Sequence, residues 1–158
     1  MALIIQRTLL EQLRQHGEQA YPQEACGILL GVIAEDGIRV QSIMRCDNAC
    51  SDLKHNRYQI GPADLFRAQR EARTQGQDIV GFYHSHPDQP ARWSLTDLAE
   101  AYWTGYAYVI TSVEKGKAAA TNAFLLSGEE QDKHFEDESM IVAEDFEDKT
   151  AGLGRERC

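Results

Sequence analysis

Four side chains in a short stretch have the types and the spacing of a metal centre: His84, His86, Ser94 and Asp97. The apolar run at residues 79–83 is rich in β-formers and predicts a buried strand. Because side chains alternate along a strand, the two histidines point to the same face, about 7 Å apart. Two imidazoles at this separation can converge on one ion, each about 2.1 Å from it.

The residues after Ser94 predict a helix that opens with an aspartate. Ser94 is a good N-cap, and Asp97 falls in the first turn, where its charge suits the helix dipole. With the two histidines, Asp97 gives three protein ligands and leaves the fourth tetrahedral position to water, which is the catalytic rather than the structural zinc pattern. Pro87 ends the preceding strand, and Gly105 is the expected end of the helix. Apolar residues recur at helical spacing: Leu95, Leu98, Ala99 and Tyr102.

Each part of this cluster also has an ordinary interpretation. A single histidine is more often solvated or hydrogen-bonded than a ligand, and Ser94 with Asp97 alone would form a capping box. The joint spacing is more specific: His-x-His, seven residues, Ser, two residues, Asp. In this order the residues resemble the JAMM motif of the MPN-type metallopeptidases. That family also has a glutamate on an upstream strand, and Glu24 in the segment PQEACG matches it.

The resemblance covers about residues 1–145 and implies a zinc metallopeptidase. It implies that His84, His86 and Asp97 bind Zn²⁺, which lowers the pKa of water from 15.7 toward about 7. It further implies that Glu24 is the general acid–base and that Ser94 helps to hold the carbonyl oxygen. Capping its helix is a competing use of the Ser94 hydroxyl, and a solvated acid is the ordinary interpretation of Glu24.

The substrate is also inferred from the resemblance. Family members cleave peptide or isopeptide bonds after the C-terminal Gly-Gly of ubiquitin or a ubiquitin-like protein. This short chain is similar to the small prokaryotic members that release an amino acid, typically cysteine, from a ubiquitin-like sulfur-carrier protein. An extended tail suits a narrow cleft because it can pair along a strand edge. Two alternatives stay open: removal of ubiquitin-like modifiers from proteins in a bacterial conjugation system, and a non-catalytic scaffold of the same family.

The other cysteines and histidines give weaker signals. Cys46 and Cys50 have the wrong spacing for a zinc ribbon. Cys26 lies in an apolar run, where a small buried hydrophobe is expected. His55 lies in a polar loop that borders the cleft; a solvated side chain is the simpler expectation, and a side chain facing the cleft is the alternative.

Two residues directly before Ser94, Arg92 and Trp93, either contact substrate or cover the core. Motifs of other metal enzymes are absent from the chain. A metallo-β-lactamase needs His-x-His-x-Asp-His, and Gln89 stands where the last histidine would be. Zinc deaminases need His-x-Glu followed by Pro-Cys-x-x-Cys, and the latter does not occur; the His-Glu-x-x-His of zincins does not occur either.

The order of apolar patterns predicts an α+β fold with a curved, largely antiparallel (mixed) sheet flanked by helices. The resemblance implies an MPN or JAB domain with a cytidine-deaminase-like sheet. Helices are predicted at residues 7–20, from Pro62 to Gly76, and after Ser94. Strands are predicted at residues 25–33, 38–44, 58–60, 79–83, 106–111, 118–126 and, weakly, 139–142, with a hairpin turn at Asp36 and Gly37.

The 158 residues predict one domain, residues 1–145, followed by a frayed acidic tail, residues 146–158. No apolar run approaches the ~20 residues of a membrane span, and the N-terminus has no cationic leader. Four cysteines without a secreted framework favour reduced thiols in the cytoplasm.

The net charge of −9 is concentrated near the C-terminus, where residues 129–148 contain ten acids and one lysine. Such a charge argues against binding nucleic acid, which needs a basic face, and is typical of a solvated surface. The resemblance implies a ubiquitin-like carrier with its Gly-Gly tail as the partner, with no membrane and with a homodimer left open.

Overall fold

Seven strands and three helices make up residues 2–50 and 57–144, the part of the chain that this computed structural model describes. The helices are α1 (Arg7–Ala20), α2 (Pro62–Thr74) and α3 (Leu95–Glu100). The strands are β1 (Ala2–Gln6), β2 (Cys26–Ala34), β3 (Gly37–Cys46), β4 (Asp78–Pro87), β5 (Ala107–Glu114), β6 (Lys117–Ser127) and β7 (His134–Ala143). None of these helices is both long and apolar enough to cross a membrane.

The strands form a closed barrel in the order β1, β3, β2, β4, β5, β6, β7, with β7 paired back to β1. β1 runs parallel to β3 and β7, β4 runs parallel to β5, and the other pairs are antiparallel. The prediction of a mixed sheet with helices is confirmed, but the sheet is closed rather than only curved. The likeness to cytidine deaminases stays a prediction.

β1 closes the barrel and is absent from the sequence predictions. Its five residues join α1 without a turn, so no local signal separates it from the helix. Because β1 lies between β3 and β7, each strand of the described chain has a strand neighbour on both sides. β1 pairs only with residues 37–40 of β3, and β7 only with residues 123–127 of β6. The expectation that a substrate tail pairs along a strand edge stays a prediction.

Helices α1 and α2 pack on opposite faces of the same strands. Side chains alternate along β2 and β4, so each strand supplies both faces and is apolar almost throughout. The cluster that packs with α1 includes Leu3, Ile5, Leu13, Leu29, Val80 and Val109. The cluster that packs with α2 includes Ile28, Leu30, Ala68, Ala72, Ile79 and Phe82.

Residues 58–60 are not a strand, in contrast to the prediction. The Ala49 N–H donates to the Gln59 carbonyl oxygen at 2.8 Å, and the Gln59 N–H donates to Asn48 Oδ1 at 3.1 Å. The loop after β3 thus takes the hydrogen bonds that a strand neighbour would have made.

Two further elements differ in length from the predictions. α3 ends at Glu100 rather than near Gly105, because Ala101 turns into extended backbone (ψ 123°) and is buried. β7 has ten residues instead of a weak strand at 139–142, because it pairs with β6 on one side and β1 on the other.

Candidate metal centre

His84 and His86 lie near the end of β4, on the strand face that also carries Phe82. The strand ends at Pro87, as predicted, and β5 pairs with it in parallel up to that residue. Both imidazoles are nearly buried, with 2% and 4% of each residue exposed. The strand therefore presents two imidazole side chains next to each other in a site with little access for bulk water.

The ring nitrogens of the histidines and the carboxylate of Asp97 converge on one point. His84 Nε2 lies 3.1 Å from His86 Nε2 and 3.3 Å from Asp97 Oδ1. His86 Nε2 lies 3.0 Å from Asp97 Oδ2. Ligands about 2.1 Å from a tetrahedral ion are about 3.4 Å from one another, which is close to these distances. The donor types and their separations therefore fit Zn²⁺.

Contacts behind the ligands orient the two histidines. His86 Nδ1 lies 2.9 Å from the Pro90 carbonyl oxygen. Since a carbonyl only accepts, Nδ1 carries a proton, which leaves Nε2 as the nitrogen that faces the other ligands. The Tyr58 ring stacks on the His84 ring, with centroids 4.3 Å apart. Burial lowers the pKa of His84, which favours the neutral imidazole that binds metal.

A reciprocal capping box at the start of α3 holds Asp97. The Asp97 N–H donates to Ser94 Oγ at 3.0 Å, and the Ser94 N–H donates to Asp97 Oδ2 at 2.9 Å. Burial alone would raise the pKa of Asp97, but the histidines and the Ser94 N–H hold it well below its usual range. The cap uses the Ser94 hydroxyl only as an acceptor, so its O–H can still donate to a carbonyl oxygen. Ser94 can thus cap α3 and hold a carbonyl oxygen at the same time, although the sequence alone makes these two uses of its hydroxyl compete.

Glu24 reaches the same site from the segment before β2. β2 and β4 are antiparallel with Cys26 opposite His84, so the same register brings Glu24 opposite His86. A Glu24 oxygen and one nitrogen of each histidine lie within 4.8 Å of one another. Glu24 is 4% exposed, and its Oε1 has no hydrogen-bond partner among the described residues. Burial raises the pKa of this carboxyl to about 8.

Asn48 fixes the backbone beside Glu24 and was missed by sequence reasoning. Its Nδ2 donates to the carbonyl oxygens of Glu24 (3.3 Å) and Arg57 (2.9 Å). Its Oδ1 accepts from the Gln59 N–H. Asn48 thereby joins the Glu24 segment to the segment that carries Tyr58. In the sequence it is one of several polar loop residues, and no local pattern distinguishes it.

An aromatic cavity of about 300 Å³ adjoins the ligand cluster. Phe82 lines it from β4, two residues before His84, and Tyr58 both lines it and stacks on His84. Glu100, at the end of α3, and Tyr102 line it from the other side, and Tyr102 is 76% exposed. The cavity therefore shares a strand, a helix and an aromatic ring with the candidate metal centre.

Residues 6–126 match the family described as prokaryotic homologues of the JAB domain. The chain belongs to this family. The resemblance to MPN-type metallopeptidases is confirmed by that match, which spans every residue of the site from Glu24 to Asp97.

Two relatives extend the comparison. A desampylase from Haloferax volcanii is 31% identical over 105 residues, which cover 66% of this chain and 73% of the relative. A probable TtuB-protein conjugate cleaving protease from Thermus thermophilus is 30% identical over 126 residues, which cover 80% of this chain and 77% of the relative. This JAB-family chain is therefore a hydrolase of the metallo-isopeptidase type, as the resemblance implied.

Solved structures of similar proteins have the same fold. A protein from Desulfitobacterium hafniense superimposes with a TM-score of 0.77 at 28% identity, over 92% of this chain and 96% of that one. A protein from Salinibacter ruber superimposes with a TM-score of 0.66 at 42% identity, over 89% of this chain and 91% of that one.

Three cysteines of this JAB-family chain, Cys26, Cys46 and Cys50, are buried free thiols. Burial raises the pKa of Cys26 far above its usual value and that of Cys46 to about 12, so both stay protonated. Protonated thiols are poor metal ligands and poor nucleophiles. The expectation that Cys26 is a small buried hydrophobe is confirmed.

The residues before Ser94 divide between core and surface. Trp93 packs against Phe135, with ring centroids 5.6 Å apart, and so covers the core. Arg92 is exposed, and its N–H donates to the Pro90 carbonyl oxygen at 2.8 Å. His55 lies outside the described residues.

Proposed function

We propose that this chain is a Zn²⁺-dependent peptidase that cleaves the bond after the C-terminal Gly-Gly of a ubiquitin-like protein. One observation carries the proposal: three donors lie 3.0–3.3 Å apart, and the buried Glu24 carboxylate lies beside two of them. A structural zinc site uses four protein ligands. Three ligands and an adjacent acid instead leave room for water and for a substrate carbonyl.

Each residue has surroundings that suit its proposed role. Zn²⁺, when bound by His84, His86 and Asp97, supplies Lewis-acid activation of water and of the scissile carbonyl. Glu24, with a pKa of about 8 in the metal-free site, can take a proton from the attacking water and return it to the leaving amine. A nearby cation lowers the pKa of a carboxyl toward the operating pH. The Ser94 O–H donates to the carbonyl oxygen as negative charge develops on it.

The tail and the leaving group have different support. The Gly-Gly tail follows from the family resemblance. The aromatic cavity beside His84 offers space for the substrate residues that precede Gly-Gly. The names of the two relatives, a desampylase and a TtuB-protein conjugate cleaving protease, favour protein conjugates as substrates. Release of an amino acid such as cysteine from a sulfur carrier is the narrower form of the proposal and differs only in the leaving group.

A comparison of matched substrates tests the proposal. The zinc-loaded protein is given a ubiquitin-like carrier joined through Gly-Gly to a protein lysine, the same carrier joined to cysteine, an Ala-Ala version of each, and the free tail peptide. We expect kcat/KM on the Gly-Gly carriers to exceed that on the other substrates by about a hundredfold, since remote binding energy acts at the reacting centre. Equal rates on all substrates would identify a general peptidase. The preferred adduct identifies the leaving group.

Metal analysis tests the ligand set separately. We expect one zinc per chain in the wild-type protein and loss of zinc in His84→Ala, His86→Ala and Asp97→Ala. His134→Ala is the matched control, because His134 is exposed and lies outside the site. Less than about a tenth of an equivalent after growth with zinc would contradict the proposal of a tightly bound catalytic ion.

We further propose that residues 1–145 form the catalytic domain of a cytoplasmic enzyme, with residues 146–158 as an appendage. A chain truncated after residue 145 should then keep the kcat/KM of the full chain. A large loss on truncation would assign the appendage a part in substrate binding.

A further inference from the structure

Ser85 separates the two histidines of the ligand cluster and faces away from them. Alternation of side chains along β4 turns its hydroxyl to the opposite side of the strand. Ser85 is 2% exposed. α1 packs over it so closely that a Cβ added at Gly17 would lie 3.2 Å from Ser85 Cβ. The hydroxyl is therefore closed off from solvent and from any substrate.

Two hydrogen bonds join Ser85 to Ala25, the residue after Glu24. The Ser85 N–H donates to the Ala25 carbonyl oxygen at 3.0 Å. The Ala25 N–H donates in return to Ser85 Oγ at 2.8 Å. In a regular antiparallel pair the second bond would end on the opposite carbonyl oxygen. Here a side chain takes that role, so the bond depends on the residue type at position 85.

These two bonds join the Glu24 segment directly to the strand of the ligands. β2 begins at Cys26, so Glu24 and Ala25 precede its regular ladder. Asn48 also bonds the Glu24 carbonyl oxygen, but at 3.3 Å and from a loop. The Glu24 Oε1 has no partner in this part of the chain. The position of the Glu24 backbone therefore bears directly on where the carboxylate lies.

We propose that Ser85 is a positioning residue for Glu24: its hydroxyl holds the Ala25 N–H and so sets the distance from the Glu24 carboxylate to the metal centre. The inference rests on the proposed function, in which Glu24 transfers the proton. Ser85 itself touches neither substrate nor metal, and its effect on the rate passes through Glu24. A displacement of about 1 Å in a reacting group costs on the order of a hundredfold in rate.

Replacement of the hydroxyl tests the proposal. Ser85→Ala leaves the buried Ala25 N–H without its acceptor, which favours a shift of the segment. We expect kcat on the carrier conjugate to fall by about tenfold to a hundredfold, with little change in KM or in zinc per chain. Ser112→Ala is the matched control and should keep the wild-type kcat. Ser112 is equally buried, lies opposite His86 on β5, and its hydroxyl has no partner among the described residues.

A second variant, Ser85→Cys, separates an effect on kcat from a loss of stability. Hydrogen exchange of the Ala25 amide gives a readout that does not depend on activity. Ser85→Cys keeps the packing but offers a weak acceptor, so kcat should fall while the fold is retained. Hydrogen exchange of the Ala25 amide is measured in the zinc-free protein. We expect protection in the wild type and in Ser112→Ala, and exchange at least about tenfold faster in Ser85→Ala and Ser85→Cys.

Combination with Glu24→Gln separates positioning from a general loss of structure. If Ser85 acts through Glu24, Ser85→Ala costs no further kcat in the Glu24→Gln background. An equal loss in both backgrounds would overturn the proposal, as would wild-type kcat in variants with a freed Ala25 amide. Failure of the proposed function gives a different result: the wild type would not cleave the conjugate, or Glu24→Gln would be fully active.

Discussion

Glu24 and Asp97 are two carboxylates in one site with opposite acid–base properties. Both are desolvated, which raises the pKa of a carboxyl. At Asp97 two imidazoles and the Ser94 N–H more than offset that effect, so the carboxylate is held as an anion. Glu24 has no such contact at Oε1, and its pKa rises to about 8. One acid is therefore suited to bind a cation permanently, and the other to exchange a proton.

Glu24→Gln should keep the fold and the zinc but lower kcat by about 10² to 10⁴, because glutamine has the same shape and cannot take the proton. The measurement is kcat on a carrier conjugate together with zinc per chain. Glu35→Gln serves as the control, since Glu35 is exposed in the turn between β2 and β3. A Glu24→Gln variant within about threefold of wild type would assign proton transfer to another group.

The raised pKa of Glu24 also predicts how the stability of the zinc-free protein varies with pH. Its pKa changes from 4.5 to about 8 on folding, so the folded chain keeps a proton that the unfolded chain releases. The contribution to the free energy of unfolding is therefore complete below pH 4.5 and is lost as the pH rises through about 8.

Urea unfolding of the zinc-free wild type and of zinc-free Glu24→Gln, at pH 5 and pH 9, measures this contribution. From pH 5 to pH 9 we expect the free energy of unfolding of Glu24→Gln to rise relative to that of the wild type, because glutamine has no proton to lose. A constant difference between the two proteins would show that the carboxyl is not desolvated in the folded chain.

At the scale of elements, α3 is the one least able to hold itself in place. It has six residues and buries none of them, and so short a helix is unstable alone. Besides its N-terminal cap, Lys133 holds its C-terminal end: Nζ donates to the carbonyl oxygens of Ala99 (3.2 Å) and Ala101 (2.9 Å). Since α3 carries Asp97, this contact from the turn before β7 bears on the metal centre.

Lys133→Met should therefore weaken zinc binding without touching a ligand. Loss of a cation at a helix C-terminus costs about 1 kcal/mol, which corresponds to about a fivefold rise in the zinc dissociation constant. Competition with a chelator measures it. Lys117→Met, a change at an exposed lysine at the start of β6, should leave the affinity unchanged. Equal affinities of both variants would mean that the capping box alone fixes Asp97.

The same elements show what a local pattern can predict. The helix at residues 7–20 is α1, and the spacings His-x-His and Ser-x-x-Asp predict the ligand cluster because each lies within one element or its cap. Glu24 could be joined to the site only through the resemblance, since the register of β2 on β4 brings it there. The same limit applies to contacts between distant segments, which leave no mark in the local sequence; the bonds of Asn48, Ser85 and Lys133 are of this kind.

At the scale of the whole molecule, closure of the barrel depends on β1. Leu3 and Ile5 are fully buried in the cluster that packs with α1, while β1 pairs with β3 and β7. A strand of five residues thus contributes both core side chains and two rows of hydrogen bonds. We expect the stability of the barrel to be most sensitive to changes on the face of β1 that carries Leu3 and Ile5.

Leu3→Ala should lower the free energy of unfolding by about 2–5 kcal/mol, because it removes a buried side chain and leaves a cavity. Ile4→Ala, on the opposite face of β1 and only partly buried, should cost less. Denaturant unfolding of the two variants measures the difference. If the two changes cost the same, β1 would not be part of the cooperative barrel.

The proposed substrates would bring extended, flexible tails to the protein, and such tails can add to a sheet as extra strands. Open strand edges carry unpaired N–H and C=O groups and are templates for aggregation. With β1 between β3 and β7, every strand in the described chain has a neighbour on each side, and only stretches beyond the paired residues, such as those next to residues 37–40 of β3 and 123–127 of β6, keep an unpaired edge. A bound tail can then pair only with such a short stretch or with irregular backbone such as residues 57–60. Closure of the barrel thus limits the length of edge from which an amyloid-like assembly could grow.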